Sequence, residues 1–132
     1  MKINIETIAH NKQRYETVGD WWFEPSEEGT VLHIRVSDMG DETFEFLVAL
    51  HELVESALCA DRNIGENKIT EFDKAFEELR GKNPEVLGDQ EPGDMVSAPY
   101  FKEHQFATRI ERQMAAELEV NWEEYNNKAN EL

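Results

Sequence analysis

Apolar and polar residues alternate at several places in the first forty residues of the chain. Ile3 and Ile5 are each followed by a polar residue, and residues 30–36 repeat the alternation. A period of two residues is typical of a β-strand that buries one face. The aromatic residues 21–23 precede Pro25, and residues 26–29 have the composition of a turn. Residues 1–40 are therefore predicted to be β-rich, with two or three antiparallel strands.

After residue 41 the spacing of apolar residues lengthens to three and four, which is typical of amphipathic helices. A first helix is predicted over about residues 42–60, with Asp41 or Thr43 as its N-cap. Two more main helices are predicted over about residues 67–79 and 100–118, and a short last helix starts near residue 121. Eight apolar side chains of the three main helices are predicted to share one core: Leu47, Val48, Val54, Leu58, Phe72, Phe76, Ile110 and Met114.

The segment 82–99, between the second and third main helices, is rich in glycine, proline and aspartate. It is predicted to form a long loop, and a loop of that length in a compact domain is more often functional than idle. The whole pattern predicts one α+β domain over residues 1–132. A small antiparallel sheet at the N-terminus is followed, in residues 41–132, by three main helices packed on one face of the sheet.

The composition indicates a folded, soluble protein. Hydrophobic residues make up 39% and charged residues 32% of the 132 positions, a balance typical of globular chains. The single cysteine, Cys59, excludes an intramolecular disulfide. No apolar stretch approaches the length that spans a membrane, and the first residues lack an apolar signal core. We therefore expect a cytoplasmic protein that does not bind membranes.

The formal net charge of −16 bears on the choice of partners. Such a surface repels nucleic-acid phosphates, so direct nucleic-acid binding is not expected. In one interpretation, the acidic residues only keep the protein surface solvated and soluble. In a sharper interpretation it mimics the charge of DNA and blocks a basic DNA-binding protein. Neither interpretation identifies a small-molecule or peptide substrate, or the number of subunits.

His51 and Glu55 continue the apolar stripe of the first predicted helix. Residues four apart lie on the same helix face, so the imidazole and the carboxylate are predicted to point inward together. An unpaired carboxylate is costly in such a place. An imidazole and a carboxylate placed in this way can hold one divalent cation.

His104 supplies a third candidate ligand from the third main helix. It lies at the edge of an apolar stripe that includes Phe106 and Met114. Two histidines and one glutamate are the ligands of many catalytic zinc sites, which keep a fourth position open for water. We therefore predict that one divalent ion, zinc, binds His51, Glu55 and His104, because imidazole suits zinc better than magnesium. Binding should weaken below about pH 6, where imidazoles become protonated.

Three further glutamates lie near these residues in the sequence. Glu52 is offset around the helix from His51, so it is a candidate general base for hydrolysis and not a required ligand. Glu103 and Glu111 flank His104, and each could be an extra ligand or the acceptor of the His104 imidazole N–H.

A competing interpretation needs no metal. An inward histidine is commonly a core residue hydrogen-bonded to a neighbour, and Glu55 could pair with Arg109 or Arg112. The chain would then be a non-enzymatic, acidic interaction protein.

The strand at residues 30–36, followed by a helix that carries His51, Glu52 and Glu55, resembles the active-site half of zincin metallopeptidases. In that family a strand lies beside a helix with the pattern His-Glu-x-x-His, and Glu55 stands here at the position of the second histidine. The resemblance implies a zinc hydrolase with Glu52 as base. It covers about a fifth of the chain, and the whole chain is also similar to small bacterial or phage proteins.

A second resemblance is to the all-α MazG-type nucleotide pyrophosphohydrolases, which hold magnesium with Glu-x-x-Glu and Glu-x-x-Asp on two helices. Glu52 and Glu55 supply the first pattern, and Glu91 and Asp94 supply the second. Pro92 and Gly93 lie between that second pair. They predict that the segment is not helical and cannot place both carboxylates on one face.

Overall fold

Three strands and five α-helices follow one another in a computed structural model that describes all residues, 1–132. The α+β class, with an N-terminal sheet followed by helices, is confirmed. The segment predicted as a long loop contains a one-turn helix at Pro84–Leu87 and a 3-10 turn at Pro92–Asp94. The elements are β1 (Lys2–Ile8), β2 (Gly19–Ser26), β3 (Gly29–Ser37), α1 (Glu42–Asp61), α2 (Glu66–Lys82), α3 (Pro84–Leu87), α4 (Phe101–Glu117) and α5 (Trp122–Asn130).

The sheet is mixed and not wholly antiparallel as predicted. Its order is β1-β3-β2, with β2 antiparallel to β3 and β1 parallel to β3. Ile8 and Gly19 pair with the neighbouring residues Ser37 and Val36, so the segment between β1 and β2 crosses the end of β3. Because this segment returns the chain at the same end of β3, β2 runs opposite to β1 and β3. Alternation in the sequence specifies which face is buried, but it does not specify strand direction.

Helix α1 lies against the face of the sheet formed by β2 and β3, and α4 packs against α1. The α1 helix begins after Asp41, whose carboxylate accepts hydrogen bonds from the backbone N–H groups of Thr43 and Phe44 at 2.9 and 3.1 Å. The central side chains of the core come from β2, β3 and α1, and include Trp21, Leu32, Ile34, Val36, Leu47 and Val48.

The predicted helical core is confirmed only in part. Leu47, Val48 and Phe76 are buried. Five other predicted core side chains are half-buried: Val54, Leu58, Phe72, Ile110 and Met114. Along α1 and α4 the buried positions also include His51, Glu55, His104 and Glu111, so polar groups share the buried faces of these helices, as predicted for His51 and Glu55.

The last helix, α5, contacts α1 and α4 through Tyr125. Asn121 caps it by accepting a hydrogen bond from the N–H of Glu124 at 3.0 Å. Tyr125, on its inner face, is 4% exposed and contacts the ring of Phe44. None of the helices combines the length and the apolar composition that crossing a membrane requires.

Candidate metal centre

Three nitrogen and oxygen atoms that could ligate a metal converge from two helices in the protein interior. On α1, Nε2 of His51 lies 3.1 Å from Oε2 of Glu55. On α4, Nδ1 of His104 lies 2.8 Å from the same Oε2 and 3.2 Å from Nε2 of His51. The three residues are only 5–7% exposed. The structure therefore brings together the three residues that were predicted from the sequence as metal ligands.

The packing of α4 on α1 explains why His104 reaches the cluster. His104, Ala107, Glu111 and Ala115 share one face of α4, and all four are buried. The small alanines allow the two helices to approach closely. The neighbouring face of α4, which carries Phe106, was predicted to be the apolar stripe. It is more exposed than the His104 face, and Phe106 itself is 41% exposed. His104 therefore lies within the buried face of α4 and not at its edge.

The outward-facing nitrogen of each imidazole is matched with a carboxylate. Nδ1 of His51 lies 2.8 Å from Oε1 of Glu111, whose Oε2 accepts a hydrogen bond from the Tyr125 hydroxyl at 2.5 Å. Nε2 of His104 lies 3.0 Å from Oε2 of Glu91 and 3.2 Å from Oδ1 of Asp94. A carboxylate can only accept, so both outward nitrogens carry protons. When the rings are neutral, Nε2 of His51 and Nδ1 of His104 must both present lone pairs to the cluster.

Trp21 orients the third acceptor. Its indole Nε1 on β2 donates a hydrogen bond to Oε1 of Glu55 at 3.0 Å. This contact engages one carboxylate oxygen and leaves Oε2 directed at the two imidazoles. The sequence analysis did not assign this role to Trp21. The available signal was chemical, because a buried indole N–H requires an acceptor.

The carboxylates also determine how the histidines hold protons. Burial alone would lower the pKa of His51, but the hydrogen bonds to Glu111 and Glu55 outweigh burial and raise it well above 6.5. Burial likewise opposes protonation of His104, and its contacts with Asp94, Glu55 and Glu91 raise its pKa to about 12. Burial would raise the pKa of Glu55, yet the two imidazoles lower it far below its ordinary value. The cluster therefore attracts positive charge strongly.

The separations of the three acceptor atoms are close to those around zinc. A tetrahedral zinc ion with bonds of about 2.0–2.2 Å separates its ligand atoms by about 3.3–3.6 Å. The observed separations are 2.8, 3.1 and 3.2 Å. All three are shorter, so the ligand atoms would have to move apart by up to about 0.8 Å to hold the ion.

Glu52 lies beside this cluster and not within it. Its half-buried side chain covers Gly19 of β2, where an added Cβ would lie 2.5 Å from Oε1 of Glu52. Burial, followed by repulsion from Glu55, raises the pKa of Glu52 well above 4.5. Glu52 is not among the three converging ligands.

The two candidates that flank His104 have different partners. Glu111 accepts from Nδ1 of His51 and not from His104, so it is the partner of the other imidazole. Glu103 instead pairs with Arg62 at 2.6 Å and does not contact either imidazole. Arg109 and Arg112, the alternative partners of Glu55, lie over the rings of Phe106 and Trp122 respectively. Glu55 is thus engaged by histidines and a tryptophan and not by arginine.

The segment Glu91–Asp94 contradicts one prediction. Pro92 begins a 3-10 turn, in which side chains three residues apart lie above each other. Both carboxylates therefore reach Nε2 of His104, although the sequence indicated that they could not share a face. Together with His104 they form a second cluster that could hold a cation, with Glu91 and Asp94 exposed to solvent.

Gly93 allows this turn to lie directly on the His104 ring. An added Cβ at Gly93 would lie 2.4 Å from Cγ and 2.6 Å from Nδ1 of His104. Those distances are too short for a side chain without displacement of the ring or the turn. The role of Glu91, Gly93 and Asp94 was missed by the sequence analysis, although their position in a long, non-repetitive segment was a signal.

Comparison with known proteins does not assign a class to the chain, since no family model matches it and no similar curated protein or solved structure was found.

Proposed function

We propose that the protein binds one divalent metal ion, zinc, through Nε2 of His51, Oε2 of Glu55 and Nδ1 of His104. The observation that carries this proposal is the fixed orientation of both imidazoles. Their outward nitrogens face carboxylates at 2.8–3.2 Å, so the lone pairs of the neutral rings converge on one carboxylate oxygen. Three converging acceptors repel one another unless a cation or protons lie between them.

The chemistry of the ligands favours zinc over magnesium. Two imidazole nitrogens and one carboxylate oxygen form a borderline-soft set, whereas magnesium prefers oxygen ligands and retains water. The outer partners also match the arrangement common in metalloproteins, in which a ligating histidine donates its other N–H to a carboxylate. Glu111 supplies this partner for His51, while Glu91 and Asp94 supply it for His104.

The main competitor is an ion-pair cluster without metal. Two doubly protonated histidines would each donate to Oε2 of Glu55, and their raised pKa values are compatible with that state. This state supports the alternative of an acidic interaction protein, in which the histidines and Glu55 are only structural. The two proposals differ in one measurable property: only the first predicts stoichiometric metal binding.

Hydrolysis is a second candidate function, favoured by the position and pKa of Glu52. A carboxylate whose pKa is raised is a stronger base toward attacking water than an ordinary glutamate. Glu52 is adjacent to the metal ligands in sequence, as in the zincin helix that it resembles. For hydrolysis, a substrate would have to reach three residues that are only 5–7% exposed. The turn at Glu91–Asp94 covers one of them, His104.

Metal binding is tested with untagged protein by elemental analysis and by competition against a chromogenic zinc chelator. We expect one zinc ion per chain in the parent protein. His51→Ala should abolish binding, and His104→Ala should nearly abolish it, because each removes an imidazole ligand. His33→Ala is the matched control, since His33 stacks on Trp22 and pairs with Glu24 on the sheet.

Cobalt substitution adds a test of the ligand geometry. Four-coordinate cobalt gives intense visible absorption, and loss of that spectrum in His104→Ala would indicate that His104 is a ligand. A parent protein that binds no zinc would favour the ion-pair cluster. Equal zinc affinity in the parent and His104→Ala would show that the two-helix site is wrong.

A further inference from the structure

The outer edge of β1 is unpaired, and the apolar surface beside it is uncovered. β1 forms one edge of the sheet, and only β3 pairs with it. Ile3 and Ile5 are 46% and 48% exposed, and Phe46 on α1 is 49% exposed. An unpaired strand edge next to exposed apolar side chains is a typical site for the addition of another strand.

The exposed residues of β1 and α1 form one continuous groove. Ile3 and Ile5 lie opposite Leu32 and Ile34 in the parallel register, so they point toward the face of the sheet that α1 covers. Helix α1 lies over β2 and β3. The groove between β1 and α1 is lined mainly by the apolar residues Ile5, Val36, Phe46, Ala49, Leu50 and Leu53, together with Thr7, Glu42 and Glu45. A chain that extends the sheet beyond β1 would cover this groove.

The charged residues of β1 indicate which strand could pair with its free edge. Lys2 and Glu6 are exposed and lie on either side of Asn4, two residues away in each direction. If two copies of β1 pair antiparallel about a twofold axis at Asn4, Lys2 of each copy lies opposite Glu6 of the other. Ile3 then lies opposite Ile5, on the groove face. The strand is therefore complementary to itself in both charge and apolar character.

We propose that this protein forms a homodimer through antiparallel pairing of β1 with β1 of a second copy, which joins the two sheets. The edge N–H and C=O groups supply the hydrogen bonds, and the isoleucines cover the groove. The Lys2–Glu6 pairs fix the register. With a formal net charge of −16 per chain, general repulsion opposes association, so these local contacts must supply the affinity.

The pairing is tested by sedimentation equilibrium of the full chain and of two charge-reversal variants. Lys2→Glu and Glu6→Lys each place like charges opposite one another at both ends of the paired strands. Each variant alone should raise the dimer dissociation constant by roughly tenfold or more. An equimolar mixture of the two variants should restore the dimer. In that mixed dimer the two substituted side chains face each other with opposite charges, and the unchanged Lys2 and Glu6 also face each other.

Two matched controls change the net charge by the same amount elsewhere. Lys12→Glu and Glu28→Lys alter exposed residues outside β1 and should leave the dimer intact. Far-UV circular dichroism confirms folding, which matters for Glu6→Lys because Glu6 also pairs with Arg35 at 3.1 Å. A parent protein that remains monomeric into the millimolar range would overturn the proposal. A dimer that survives both reversals, or a mixture that does not recover, would also overturn it.

Discussion

Nδ1 of His51 on α1 and Oε1 of Glu111 on α4 lie 2.8 Å apart, although the residues are 60 positions apart in sequence. The contact fixes the His51 ring between two helices, because the opposite nitrogen, Nε2, faces Glu55 and His104. Tyr125 holds the other oxygen of Glu111. The orientation of the proposed ligand thus depends on a residue outside the proposed ligand set.

Glu111→Gln should therefore weaken zinc binding without removing a ligand. The amide oxygen still accepts a hydrogen bond, but it has no negative charge to stabilise positive charge on the imidazole, so we expect a loss of about 10–100-fold in affinity. Chelator competition measures this loss. Glu103→Gln is the matched control, since Glu103 is a buried glutamate of the same helix that pairs with Arg62. Equal losses in the two variants would contradict a specific role for Glu111.

Gly93→Ala should disturb the His104 side of the site. Its Cβ would lie 2.6 Å from Nδ1 of His104, the proposed ligand atom, so the ring or the 3-10 turn must move. We expect a loss of about 1–3 kcal/mol in unfolding free energy, typical of overpacking, together with weaker zinc binding. Urea melts and zinc titration measure the two effects.

Gly81→Ala is the control for that substitution. Gly81 lies in α2, and no atom would lie within 4 Å of its added Cβ. Alanine in a helix should leave stability unchanged or raise it by up to about 1 kcal/mol. If Gly93→Ala is as stable as Gly81→Ala and binds zinc normally, the contact between the turn and His104 does not constrain the site.

The affinity for zinc should rise with pH through the neutral range and above it. The carboxylates raise the pKa of both histidines, that of His104 to about 12, so protons compete with the metal well above pH 6.5. Protons should therefore weaken zinc binding up to a higher pH than the value of about 6 that unperturbed imidazoles predict. Displacement of two protons would increase affinity by up to about a hundredfold per pH unit. An affinity that is constant above pH 7 would contradict this coupling.

The metal-free protein should show the opposite trend in stability. A histidine whose pKa is raised by folding contributes stability that is fully present below its unfolded value of 6.5 and is lost as pH rises through the folded value. Denaturant melts in chelator should therefore show a falling unfolding free energy above neutral pH. The same melts in His104→Ala should show a smaller decline.

The sequence was informative about the residues whose positions follow from a helical period. The spacing of His51 and Glu55 placed them on one inward face, and an inward His104 on another helix suggested a shared cluster. Their meeting depends on the close packing of α4 on α1 through Ala107 and Ala115, which periodicity alone does not specify. The face of α4 that was predicted to be apolar, which carries Phe106, is therefore not the face that is buried.

The parts of the site outside the helices could not be derived in this way. Glu91 and Asp94 belong to a segment without periodicity, and their direction depends on a 3-10 turn that Gly93 allows to lie on His104. Trp21 lies in the segment predicted to be β-rich, and its contact with Glu55 requires the position of β2 relative to α1. The direction of β2 relative to β1 and β3 likewise depends on residues 9–18, which cross the end of β3. It does not follow from the alternation of apolar and polar residues.

Glu52→Gln separates the role of Glu52 in stability from its role in chemistry. Folding raises the pKa of this carboxyl group above 4.5, through burial and repulsion from Glu55, so its ionised form destabilises the protein at neutral pH. The glutamine variant should therefore have a higher unfolding free energy than the parent at pH 7. The difference should disappear below pH 4.5, where the parent carboxyl group is protonated in both folded and unfolded chains.

The same variant should bind zinc as tightly as the parent, because Glu52 is not among the converging ligands. Any zinc-dependent hydrolysis should be lost, since the amide cannot accept a proton from water. Glu78→Gln, which removes an equal charge from an exposed position on α2, should change neither stability nor zinc binding. Loss of zinc in Glu52→Gln would make Glu52 a ligand, and retained hydrolysis would show that it is not the base.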